Sequence, residues 1–339
     1  METTMVQWRG RRESDNVEDR RGQGGGGGFP FPFPGRQGGG QGMPFPMPGG
    51  RRGGGIGIVG LLIMLGIALL LGINPLDILV GGGNQFPMPK VDTQGKELPK
   101  FDLPNWPGAE QVDKQPDSGQ PQVKPTDDLA SFVKVMFADN EDVWGELFKA
   151  AGRRYEPPTL VMFDRMTETA CGSGLAAMGP FYCPLDRKVY IDLSFYQQMR
   201  TQFGAPGDFA QAYVISHEVG HHVQNLLGIA EQVQAYKQQV GERDANAVQV
   251  RMELQADCYA GVWANLADRA KGILEQGDIE EGLNAASAIG DDNIQRQTQG
   301  RVVPDAFTHG SSEQRVRWFK RGIESGDPAA CDTFNAEDL

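Results

Sequence analysis

Residues 215–221 read Ile-Ser-His-Glu-Val-Gly-His, and this stretch constrains the fold more than any other in the chain. On a helix His217 and His221 stand on one face about a turn apart, where both imidazoles reach a single Zn²⁺. Glu218 follows the first histidine directly and can act on a zinc-activated water as general base. The chain must therefore build a helix here and bring a further metal ligand to it from another element.

Three protein ligands and one open position make a catalytic zinc site. The three-histidine extension of the metzincins is absent: position 224 is Gln rather than Gly, and 227 is Leu rather than His. His222 lies about 100° round the helix from His221 and cannot share its metal. The better candidates lie in Met252-Glu253-Leu254-Gln255-Ala256-Asp257-Cys258, where Glu253 and Asp257 are four residues apart on a face also carrying Val250, Gly261 and Ala264. Glu253 can ligate the metal, and Asp257 can accept the free N–H of a ligating histidine and fix its tautomer. The fourth histidine, His309, precedes a capped helix in a loop. It either donates to a tetrahedral oxyanion or is a plain surface residue.

The rest of the chain is organised in unlike parts. Residues 1–55 are Gly-rich with Phe-Pro runs at 29–34 and 43–48, a composition that predicts a disordered tail. Ile56–Ile73 is an uninterrupted apolar and glycine run of 18 residues. As a helix it would span about 27 Å, enough for a bilayer core, so 56–80 is expected to be a single transmembrane anchor. Arg51 and Arg52 abut it, and the positive-inside rule predicts a cytoplasmic N-terminus. The expected location is the inner (cytoplasmic) membrane, single-pass, with the catalytic domain periplasmic or extracellular. Residues 81–126, rich in Pro, Gly and Gln, read as a linker, and 127–339 as one globular domain. Beyond residue 52 the chain carries 24 Lys and Arg against 39 Asp and Glu, which argues against nucleic acid as a partner.

Four cysteines, an even number, fall in the globular part and form no CxxC pair. Cys171 and Cys183 flank a Gly-rich segment that reads as a stapled loop, leaving Cys258 and Cys331 as a second pair. The apolar spacing over 127–151 predicts two short helices. The best strands are 159–163 and 189–193, and 208–227 is a helix stopped by Gly228. A longer helix is expected from Asn246 to about Lys271. Asp278 with Glu281, and Ser311 with Gln314, have the capping-box spacing ahead of two more. A few strands followed mostly by helices is an α+β layout.

With these blocks in view, the chain resembles the bacterial "putative neutral zinc metallopeptidase" family, membrane-anchored proteins with a C-terminal zincin domain. The resemblance covers about residues 127–335. It rests on Cys171-Gly172, Gly179-Pro180-Phe181-Tyr182-Cys183-Pro184, 189–193, 217–224, 253–258 and His309-Gly310-Ser311-Ser312-Glu313-Gln314-Arg315. More distantly it is similar to gluzincin membrane proteases of the HtpX and CAAX-prenyl kind. In those, an HExxH helix is followed by an ExxxD helix and a Thr-His-Pro block with a downstream arginine. Here Thr308-His309-Gly310 replaces Thr-His-Pro, with Arg315 at the matching spacing. The resemblance implies a zincin-like domain with zinc held by His217, His221 and Glu253, and Glu218 as base. The resulting expectation is a zinc endopeptidase acting on a peptide or protein substrate lying along the 189–193 strand. The alternatives are a zinc-binding, membrane-tethered adaptor or assembly factor with little turnover, and a zinc hydrolase acting on a non-peptide amide.

Overall fold

The computed structural model describes residues 6–22, 101, 103–106 and 128–339, except 177–178, 202–203 and 206. Its first element is a surprise, because strand β1 (Val17–Asp19) comes from the segment whose composition predicted disorder. β1 pairs in parallel with β2 (Thr159–Phe163), and β2 pairs in parallel with β6 (Lys188–Asp192). A third partner, β5 (Phe181–Cys183), runs antiparallel to β6 and closes the sheet in the order β1-β2-β6-β5. Between β2 and β5 the chain makes a separate hairpin, β3 (Met166–Thr169) with β4 (Gly172–Leu175).

Both faces of the sheet are covered, which is why its central strands are almost wholly apolar. Leu160, Met162, Val189 and Ile191 point into the main core, while Val161, Phe163, Tyr190 and Cys183 form a smaller cluster on the other face. The helices follow: α1 (Asp128–Ala150), α2 (Phe195–Thr201), α3 (Asp208–Leu226), α4 (Ile229–Lys237), α5 (Glu242–Lys271), α6 (Asp278–Ala288), α7 (Asp291–Gln299) and α8 (Ser312–Ser325). α3 and α5 cross at the centre of the fold. A side-chain carbon on Gly220 would lie 3.1 Å from the Ala256 backbone, so the glycine inside the histidine motif permits the close approach.

The sequence reading holds for the α+β layout and for the strand at 159–163, and the strand expected at 189–193 is found one residue earlier, at Lys188–Asp192. The reading needs correction at two helices. Residues 128–150 are one helix rather than two, because the polar stretch that looked like a break is satisfied by contacts. Asp139 pairs with Arg11 and Lys271, Asn140 donates to Ser216 Oγ, and Glu141 accepts from Ser14 and Asn16. Asp278 is the first helical residue of α6 rather than a cap, and it accepts the Glu275 N–H while Glu281 turns to the Phe209 N–H of α3. The Ser311–Gln314 capping box is complete at the start of α8.

The domain reading changes as well. Val6 and Trp8 are buried, and Trp8 meets Phe132 edge-on at 5.9 Å. From the expected linker, Phe101 and Trp106 are also buried, Trp106 against Phe148. Residues 6–22 therefore share a sheet and a core with 128–339. The expected N-terminal transmembrane helix and single-pass inner-membrane location are corrected accordingly. One crossing between these segments would leave two halves of a core on opposite sides of a bilayer. Among the described residues no helix is long and apolar enough to cross a membrane. The 56–80 segment on which the expectation rested lies outside the described residues. Both expected disulfides are present, Cys171–Cys183 and Cys258–Cys331.

Candidate metal centre

α3 is buried on nearly every side, so its polar motif faces the interior of the fold. His217 and His221 project from it toward α5, which presents Glu253 one turn before Asp257. The Nε2 atoms of both histidines lie 3.3 Å from Glu253 Oε2. Ligand atoms of the three residues all fall within 4.8 Å of one another.

The opposite ring nitrogens show how this convergence is held. His217 Nδ1 donates to Asp257 Oδ1 at 2.8 Å. Asp257 is fully buried and also accepts from Tyr213 OH and from Arg315, through Nε at 2.9 Å and Nη2 at 2.8 Å. His221 Nδ1 donates to Gln224 Oε1 at 2.9 Å. The amide of Gln224 is oriented because its Nε2 donates to the Met252 carbonyl and to Gln255 Oε1, and Gln255 in turn donates to the Cys331 carbonyl. With both Nδ1–H groups engaged, two Nε2 lone pairs and a carboxylate meet in one space. Acceptors alone would repel there, and a cation resolves the arrangement. The N,N,O donor set and the tight cluster fit zinc with an open fourth position.

The electrostatics agree with that fit. Burial alone would push the His217 imidazole down. The charge and hydrogen bond of Asp257, with Glu253 beside it, outweigh burial and raise it to about 9. Glu253 would be raised by burial, but the imidazoles hold it well below the usual carboxylate range. The site is built to hold positive charge. Glu218, buried in the same cleft, is pushed up mainly by burial, against the lowering effect of the two histidines.

His309 lines this cleft, which encloses about 520 Å³, together with His217, Glu218, His221 and Glu253. Its Nδ1 faces Asp291 Oδ1 at 3.3 Å and Thr308 Oγ1 at 3.0 Å. Asp291 also accepts the backbone N–H groups of Thr308 and His309, each at 2.6 Å, and that of Gly310 at 3.2 Å. The glycine that replaces proline after His309 has φ +89°, a backbone route closed to proline. His222 turns away from the cluster, as its position round the helix predicts, toward Tyr182 and the Glu156 carbonyl.

The structure thus brings together His217, Glu218, His221, Glu253, Asp257 and His309. Residues that the sequence did not single out for the site are Tyr213, Gln224, Gln255 and Asp291. Gln224, three residues after His221, had a legible helical spacing. Asp291 had no local signal, since its partner is 18 residues away. Of the strand expected to receive substrate, residues 188–190 are paired on both sides, with β2 and with β5, and β5 is the strand at that end of the sheet.

Comparison with known proteins gives a concordant result. The family model described as "Putative neutral zinc metallopeptidase" matches residues 6–334 and so includes the β1 segment. "Uncharacterized protein YpfJ" of Escherichia coli K12 is 59% identical over 208 residues, covering 61% of this chain and 72% of the relative. "Uncharacterized protein Rv2575" of Mycobacterium tuberculosis is 40% identical over 282 residues, covering 80% of this chain and 86% of the relative. No solved structure matches.

Proposed function

Since the chain belongs to the "putative neutral zinc metallopeptidase" family, we propose that it is a zinc-dependent endopeptidase acting on extended stretches of peptide or protein. His217, His221 and Glu253 would hold the metal, with Asp257 and Gln224 fixing the two imidazoles. When bound there, zinc polarises the scissile carbonyl and lowers the pKa of the attacking water. Glu218 takes that water's proton and passes it to the leaving amine, a double duty suited to a carboxyl raised by burial. His309, with Nδ1 turned to Asp291, has Nε2 available to donate to the oxyanion. Substrate adds to the free edge of β5.

The observation that carries this reading is Glu218 itself, buried in the same cleft as the three metal-binding candidates. A protein that only bound zinc would have no use for a base at that position. Glu218→Gln should keep one zinc per chain and a normal melting temperature while abolishing peptide hydrolysis. Cleavage at the wild-type rate by that variant would remove the mechanism.

A further inference from the structure

Tyr182 and His222 take no part in the chemistry above, yet they stand between its two halves. Tyr182 is the middle residue of β5, and residues 179–182 line the same cleft as His217, Glu218 and His221. His222 is fully buried on α3, immediately after a candidate ligand. Its Nε2 lies 2.7 Å from the Glu156 carbonyl oxygen, which can only accept, so Nε2 carries the ring proton. Nδ1 therefore holds a lone pair, and the Tyr182 hydroxyl, 3.0 Å away, donates into it. The same hydroxyl accepts from Asn225 Nδ2 at 2.9 Å. Every polar atom has a partner of the correct sense.

Among the described residues, Tyr182 carries the side-chain hydrogen bonds that join β5 to α3. β5 is three residues long, paired to β6 on one side and tied through Cys183 to the hairpin by the disulfide. Neither link reaches α3. Tyr182 does, with Asn225 adding a longer contact to the Pro184 carbonyl at 3.5 Å.

We propose that Tyr182 and His222 form a clasp that fixes the spacing between the free edge of β5 and the metal helix. Both are positioning residues: they seat an extended peptide on β5 with its scissile carbonyl at His217, His221 and Glu253. This rests on the endopeptidase reading. An edge strand joined to its sheet by three residue pairs needs such a tie if a peptide is to add to it without first paying to order it.

The test compares Tyr182→Phe, His222→Asn and His222→Leu in the full chain with the wild-type protein, using a ten-residue peptide substrate. Tyr182→Phe keeps the ring and removes one hydroxyl. It should raise KM about tenfold, the worth of one buried hydrogen bond, with kcat within about twofold and zinc content unchanged. His222→Asn, whose side-chain oxygen stands near the place of Nδ1, should stay closer to wild type than His222→Leu. Amide hydrogen exchange at residues 181–183, measured on the zinc-free chain, should accelerate in Tyr182→Phe while the melting temperature holds. Unchanged KM together with unchanged exchange would overturn the clasp. So would a fall in kcat at constant KM, which would place Tyr182 in the chemistry. If the wild-type protein cleaves no peptide, the endopeptidase reading fails, and the exchange measurement still decides whether the clasp holds the strand.

Discussion

His309 is about half exposed, whereas Asp291, which faces it, is largely buried and accepts three backbone N–H groups as well. That inequality suits a donor held at a cleft mouth: the anchor is fixed and the imidazole reaches outward. Asp291 raises the imidazole's basicity, chiefly by its hydrogen bond and against burial. If His309 serves only the transition state, His309→Ala should lower kcat by about 10²–10³ with little change in KM. Zinc content and melting temperature should match wild type. A near-wild-type kcat would leave His309 as a rim residue. At this scale the sequence was most legible where spacing carries the information, as in His217, Glu218, His221, Glu253 and Asp257. It was silent where the partner is distant, as for Asp291. Arg315 lay between, visible as a spacing but not as the cation that neutralises buried Asp257.

Helix crossings decide whether those residues meet. α8 lies so close on α5 that a side-chain carbon at Gly322 would come 2.0 Å from the Cys258 carbonyl oxygen. Gly322→Ala should therefore push the helices apart, at a cost of about 1–3 kcal/mol or more, and disturb Asp257 next door. Thermal melting and zinc content measure both effects. Gly220→Ala, facing 3.1 Å rather than 2.0 Å, should cost less. The start of α3 holds a second device. Asp208, Asp278 and Glu281 converge there, and burial followed by the charge of Asp208 raises Glu281 to about 7. Burial, less the hydrogen bond from Glu275, raises Asp278 to about 6. The folded state thus binds protons that an unfolded carboxyl, near 4, releases. The stability this contributes is complete below that value and is lost as pH rises through 6 and 7. Glu281→Gln should flatten the fall in melting temperature between pH 5 and 8, and parallel curves for variant and wild type would refute the assignment. Both features escaped the sequence, because a glycine crossing and a cluster of three acids drawn from two helices exist only after packing.

For the whole molecule, the decisive feature is the N-terminal arm. Composition concealed it: residues 6–22 sit next to a long Gly and Pro tract and share its look, yet they supply Trp8, Val6 and a strand. A 17-residue segment cannot reveal from its own periodicity that its partners lie in α1, β2 and after α5. A chain starting at residue 23 should melt lower by on the order of 10 °C, given the cost of losing a buried tryptophan and its neighbours. A synthetic peptide of residues 6–22 added in trans should restore part of the loss. The arm also sets a timetable. Gln7 bonds to Glu275, 268 residues further along the chain. At roughly 5–20 residues per second a ribosome needs on the order of tens of seconds to make that stretch. β1 can pair with β2 as soon as residue 163 is made, and Trp8 can then meet Phe132, but the bonds of Gln7 to Ile273 and Glu275 must wait until the chain has passed α5. The arm is therefore seated in two stages, its strand first and its outer turn more than a hundred residues later.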